Sequence, residues 1–173
     1  LTTFTDALDT IFPYNGTPTG PALEEALDYF KQSNDHISNA DNSAFISSGT
    51  VKDPYYDVNA SGSAVPVPCR KSYVVVISDG EWNNGADPII AARQMHVGDL
   101  RSAVGAAGSD FEVQNVEVFS IFAFSTVLGG QNAMRAVAMY GAFEEIASCG
   151  TTGYPFNETG TPDSRSMSWP RPD

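Results

Sequence analysis

Apolar residues recur along this chain with two different spacings. At 73–78, Tyr-Val-Val-Val-Ile-Ser is a near-continuous β-branched run, which predicts a central strand covered on both faces. Val116 to Phe124 repeats the pattern and predicts a second buried strand. Elsewhere the spacing is helical. Phe4, Leu8 and Ile11 predict a short helix over 2–11, which Pro13 ends. Ala22, Leu23, Ala26, Leu27 and Phe30 share one face of a second helix, with Glu24 and Glu25 placed in its first turn, where the helix dipole favours acids. A third is expected from about Pro88 to Val104, with Ile89, Ile90, Ala92, Met95, Val97 and Leu100 as apolar positions and Asp87 as its cap. Asn132 to Phe143, with Ala133, Met134, Ala136, Val137 and Tyr140, predicts a fourth.

Between these elements the texture changes. From 33 to 68 the chain turns to Asn, Asp, Ser, Gly and Pro with scattered aromatics and no sustained period, the pattern of a long ordered insertion. From 150 to 173 it is a Pro/Gly/Ser-rich extension. The order helix, strand, helix, strand, helix predicts an α/β fold, doubly wound around a mostly parallel sheet and occupying residues 1–149. Two strands cannot cover that many amphipathic helices, because a stable sheet generally wants at least three. The expectation is therefore an N-terminally incomplete domain whose first strands lie upstream of Leu1.

Composition narrows the class. A chain of 173 residues with 42% hydrophobic and 11% aromatic content is long and apolar enough to fold around a core. Nine Lys+Arg against 21 Asp+Glu, a net charge of −12, disfavours nucleic acid, whose phosphates need clustered cations. No apolar run approaches the roughly 18 residues of a membrane helix. The chain starts at Leu1 without an initiator Met or a signal peptide, so processing or a boundary is expected to have removed what came before. Its Asn-, Ser- and Thr-rich, Lys-poor surface style suits a secreted protein.

The chemistry gathers at strand ends. In open parallel α/β sheets ligands bind at the carboxyl ends of the strands, which is where Asp79 follows the 73–78 run in Ser78-Asp79-Gly80-Glu81. The turn Asn15-Gly16-Thr17-Pro18-Thr19-Gly20 opens a helix and so belongs at the same edge. Thr17 and Asp79, with Thr19 and Glu81 as weaker contributors, form an all-oxygen donor set of the kind hard cations such as Mg²⁺, Mn²⁺ or Ca²⁺ take. The plainer alternatives are an N-cap at Thr17 before Pro18 and an ordinary Asp-Gly turn.

Taken in this order, the two segments resemble the von Willebrand factor A domain, whose metal-ion-dependent adhesion site joins a D-x-S-x-S loop, a Thr loop and a strand-end Asp. Gly16-Thr17-Pro18-Thr19-Gly20 followed by Ala22-Leu23 matches the Thr loop, and Ile77-Ser78-Asp79-Gly80-Glu81 matches the Asp loop. No D-x-S-x-S occurs in the 173 residues. Either that loop lies upstream of the chain, or the site holds metal poorly.

Pro68-Cys69-Arg70-Lys71-Ser72-Tyr73-Val74, a cysteine just before the Asp strand, is similar to the bacterial PilY family of type IV pilus tip adhesins. Asp53-Pro54-Tyr55-Tyr56 and the segment from Asn132 to Glu144 fit the same family. The resemblance implies an extracellular protein at a pilus tip, acting in adhesion, assembly or surface sensing. Its partners would be pilins or other tip proteins, a host or surface ligand, and the remainder of its own polypeptide.

Cys69, at the amino edge of the sheet, and Cys149, after a helix running back to that edge, are placed to bridge. Such a bridge closes a loop of about 80 residues and contributes roughly 3 to 5 kcal/mol by loop entropy; two buried free thiols, or partners elsewhere, are the alternatives. The insertion is expected on the face opposite the proposed metal, with Phe45, Tyr55 and Tyr56 packing locally or forming a contact patch. Trp82 is the aromatic candidate for ligand contact or for the core. His36 and His96 are isolated.

Three functions compete. The first is a non-enzymatic adhesion module in which a divalent cation takes a carboxylate from the ligand. The second is a metal-free scaffold in an extracellular filament or cap. The third, a metal-dependent hydrolase, lacks every motif it would need: GxSxG, HExxH, a P-loop and GxGxxG are all absent.

Overall fold

The computed structural model describes residues 16–33, 53–79, 81–102, 104–105, 111–123, 125–142 and 164–166. The predicted helix over 2–11, with Phe45, His36 and Cys149, lies outside the described residues. The elements run α1 (Thr19–Lys31), β1 (Tyr56–Val58), β2 (Ala64–Pro66), β3 (Ser72–Ser78), α2 (Pro88–Val97), β4 (Val116–Phe122) and α3 (Leu128–Ala142), followed by a 3-10 turn at Ser164–Ser166. This is a mixed α/β arrangement.

β3 and β4 pair in parallel, from Ser72↔Val116 to Ser78↔Phe122. Side chains alternate along a strand, so this register sorts them into two layers. Val74, Val76, Val116 and Val118 turn toward the helices, and the two valines of β4 are fully buried. Tyr73, Val75, Ile77, Phe119 and Ile121 turn the other way and stay 43–66% exposed. The expectation of a strand covered on both faces is therefore corrected: among the described residues one face is covered and the other is open.

The covered face is built from small and β-branched residues. Ala91, Ala92 and Met95 of α2 and Ala133, Met134, Ala136, Val137 and Tyr140 of α3 are buried together. The alanines let the two helices approach closely, and fully burying a side chain such as Val137 is worth roughly 1.5–3 kcal/mol. Gly141 lies directly on Val118, where a Cβ would collide with the strand. α1 adds Leu23, Leu27 and Phe30 from its apolar face.

Several boundaries differ from expectation for identifiable reasons. α1 begins at Thr19, so its first turn carries no acidic residue and Glu24 and Glu25 fall one turn further in. Asp87 caps α2 as expected, its Oδ1 accepting from Ile89 N at 3.1 Å, with Pro88 at the first position. The helix stops at Val97 rather than Val104, because Gly98 takes an extended conformation and Asp99 accepts from Arg101 N and Gln114 N, drawing the chain toward β4. α3 starts at Leu128, four residues earlier than its apolar spacing suggested.

The insertion is not all loop. β1 and β2 form an antiparallel hairpin, Tyr56↔Pro66 to Val58↔Ala64, whose turn is organised by Asn59 Oδ1 accepting from Ser61 N and Ser63 N. Three-residue strands among Asn, Ser and Gly carry no detectable period. The segment just before the hairpin is anchored at the amino edge of the main sheet. Tyr55 is fully buried, its ring 6.4 Å from that of Phe30, and the Arg101 guanidinium lies 5.9 Å from the Tyr55 ring and 5.5 Å from that of Tyr56. Arg101 Nη1 also pairs with Asp53 Oδ2 at 2.5 Å, both side chains being largely shielded from water. Burial pushes the Tyr55 hydroxyl up to about 12, against the opposing pull of the Ser72 hydroxyl and Arg101. Local packing, rather than a contact patch, is the role the structure gives Tyr55.

Cys69 sits in the turn before β3, exposed and unbridged. Among the described residues no helix is long and apolar enough to cross a membrane.

Candidate functional site

Parallel pairing places the ends of β3 and β4 side by side, and Ala123 N continues the ladder by donating to Ser78 O at 2.9 Å. The loops leaving that edge carry the candidate residues, and α2 and α3 start from it. Asp79 follows Ser78 directly and is exposed. Glu81 is half-buried and packs against Gly129 in the first turn of α3.

The turn before α1 meets the same loop. Asn83 Oδ1 accepts from Thr17 N at 2.8 Å, and Asn83 N donates to Thr17 O at 3.3 Å, so one asparagine clasps the threonine backbone from both sides. The contact continues along both segments. Gly20 lies so close to the Ala86 carbonyl that a Cβ there would collide with it, and Gly85, held at φ +80°, leaves room for Pro21. Only glycine permits both the approach at 20 and the left-handed backbone at 85.

The Thr17 turn thus meets the loop after β3 at Asn83, four residues past Asp79. Pro18, not Thr17, stands at the N-cap of α1, and it makes no side-chain cap. Thr17 is half-buried, whereas Thr19 is 6% exposed in the first helical turn. Among the described residues no group of three or more His, Cys, Asp and Glu side chains is gathered as for an ion. What the edge offers is two carboxylates, Asp79 and Glu81, and the Thr17 hydroxyl. These are hard oxygen donors, chemically suited to Mg²⁺, Mn²⁺ or Ca²⁺, and water or a bound partner would have to complete the shell.

Trp82 is not a ligand-facing aromatic. It is 9% exposed, its Nε1 donates to Ser164 Oγ at 2.9 Å, and the Arg165 guanidinium lies 4.2 Å over its ring. Arg165 Nη1 also donates to Trp82 O at 3.2 Å, Asn132 Nδ2 donates to Arg165 O, and Ser164 N donates to Asp87 Oδ2 at 2.6 Å. Asp87 therefore caps α2 with one oxygen and holds the 164–166 turn with the other. This clamp fixes the shape of the loop from Glu81 to Asp87. Sequence reasoning found Asp87 as a cap but missed Asn83, Ser164 and Arg165, because contacts across 66 to 83 residues leave no local pattern.

His96 is half-buried in α2, and its carbonyl accepts from Asn115 Nδ2 at 2.8 Å, a structural position away from the carboxyl edge. No family model, no curated protein and no solved structure matches this chain.

Proposed function

We propose that the protein is an extracellular adhesion and assembly module of a type IV pilus tip protein, built as a von Willebrand factor A domain, that engages its partners through a divalent cation at the sheet's carboxyl edge. The observation that carries this reading is the Asn83 clasp, which ties the Thr17 turn to the loop after Asp79 in the order the resemblance requires. Asp79 and the Thr17 hydroxyl would hold the ion, with Glu81 and Thr19 as supporting oxygens. A bound cation supplies an open coordination position for a partner's carboxylate. Asn83 and the Trp82 clamp hold the two loops in place, so that binding does not have to order them first. The partners are pilins, other tip proteins or a surface ligand. No turnover is expected.

Calorimetric titration of the full chain with Mg²⁺, Ca²⁺ and Mn²⁺ tests this. Binding of one ion that is lost in both Asp79→Ala and Thr17→Ala, with the far-UV spectrum unchanged, supports it. Absence of binding, or binding indifferent to Asp79→Ala, sinks it. The second reading, a metal-free scaffold, draws on the absence of D-x-S-x-S from the sequence and on Trp82 being committed to internal packing.

A further inference from the structure

Asn59-Ala60-Ser61 plays no part in the site at the carboxyl edge. It is an N-x-Ser sequon, the acceptor pattern for attaching a glycan to an asparagine amide. Such triplets are headed by Asn15, Asn59 and Asn157, and so polar a chain produces them readily by chance. What distinguishes Asn59 is where the fold puts it. It stands at the tip of the β1–β2 hairpin, where every residue from Asp57 to Ala64 is exposed. Gly62, at φ +78°, helps close the turn, and a Cβ added there would meet nothing within 4 Å, so the tip opens onto solvent with room for a bulky, hydrated group. Asn15 and Asn157 lie outside the described residues.

The tip also presents the atoms that the chemistry needs. Asn59 Oδ1 accepts from Ser61 N at 3.0 Å and from Ser63 N at 2.9 Å, while Gly62 N donates to Asn59 O and Asn59 N donates to Ser63 O. The carbonyl of the side chain is thereby turned into the loop, which leaves its nitrogen away from it. Neither Asn59 Nδ2 nor the Ser61 hydroxyl makes a hydrogen bond among the described residues, so both are available to an enzyme. An amide nitrogen is a poor nucleophile, because its lone pair is shared with the carbonyl. Two N–H groups donated to Oδ1 stabilise the negative charge that builds there as Nδ2 gives up a proton. Asp57, two residues ahead, adds an exposed carboxylate that a cationic groove can hold.

We propose that Asn59 is an N-glycosylation site of this protein, with a polyprenyl-pyrophosphate-linked sugar as the donor. Nδ2 attacks the anomeric carbon of the sugar. The C–N bond forms, the C–O bond to phosphate breaks, the polyprenyl pyrophosphate leaves with the bonding pair, and the Nδ2 proton passes to a base of the transferase. The hairpin adjoins the amino edge of the main sheet, whereas Asp79 follows the carboxyl end of β3, so the glycan leaves the candidate cation edge uncovered. The inference goes beyond the adhesion reading and shares with it only a location outside the cytoplasm.

The test incubates the folded full chain with a single-subunit bacterial oligosaccharyltransferase and an undecaprenyl-pyrophosphate-linked oligosaccharide, under conditions that fully convert a control acceptor peptide. Intact-mass and peptide-mapping spectrometry should place a glycan on Asn59. Modification at that position should be lost in Asn59→Gln and in Ser61→Ala and kept in Ser61→Thr. Ser61→Ala retains the backbone N–H that Asn59 Oδ1 accepts, so its loss reports on the hydroxyl and not on the turn. Asp79→Ala, which removes the proposed cation ligand, should be modified like the parent chain, so the two readings fail separately. An unmodified Asn59 in the folded chain, or modification that persists in Ser61→Ala, overturns the proposal.

Discussion

The two faces of the β3–β4 sheet are made from the same residue types, yet they have opposite fates. Val118 and Val116 are sealed under α2 and α3, while Val75 and Ile77 of β3 and Ile121 of β4, on the opposite side of the sheet, face outward at 50–66% exposure. Parallel sheets are ordinarily covered on both sides, and the continuous β-branched composition of β3 suits that condition. Hydrophobicity of a strand therefore reports what the sheet can bury. Which face is buried here depends on where three helices, separated in sequence from one another, come to pack.

The contrast is broken or sharpened most strongly by placing one charge on each face. Val118→Asp buries an unpaired carboxylate against α3 and is expected to cost more than about 4 kcal/mol, enough to unfold the chain in a urea titration. Ile121→Asp, at a comparable position on the open face, should cost less than about 1 kcal/mol. Equal losses would mean that the second face is covered as well. A smaller effect is expected at the amino edge. Arg101→Ala leaves Asp53 buried without its cation and should cost about 3 kcal/mol, with the hairpin amides exchanging faster than those of β3 and β4. Loss of protection across the whole sheet would show that the insertion supports the covered face rather than decorating it.

The smallest effect is a pH slope. The Tyr55 hydroxyl is raised from its ordinary value of 10.0 to about 12 by burial, so the unfolded chain releases that proton first. The stability it contributes is whole below pH 10 and is lost as pH rises from there through about 12. Tyr55→Phe should flatten the fall in stability across that window when unfolding is followed at several pH values. An unchanged slope would place the titration elsewhere.

These elements also show where sequence reading worked. β3 and β4 were legible because unbroken β-branched runs have few other uses, and α1 and α3 because their apolar residues return every three or four positions. The β1–β2 hairpin was not legible, because its strands are three residues long and their hydrogen bonds, rather than their side chains, hold them. The end of α2 was misplaced because apolar residues past Gly98 serve the connection to β4, where Leu100 N donates to Gln114 O. At the carboxyl edge, Thr17, Asp79 and Glu81 were singled out from turn chemistry. Asn83, which clasps the Thr17 turn, was not, because an asparagine in a loop has no period to announce a partner 66 residues away.

By itself, the sequence determined local choices: that 73–78 and 116–122 are strands, that the apolar-periodic segments are helices, and that Asp87 caps one of them. Those follow from backbone sterics and short-range hydrogen bonding, which neighbouring residues decide. Only the tertiary structure decided that β3 lies beside β4 in parallel, that one sheet face is sealed and the other open, and that Trp82 is held under Arg165 rather than offered to a ligand. Those outcomes depend on contacts between residues far apart in the chain, whose energies exist only once the chain has brought them together.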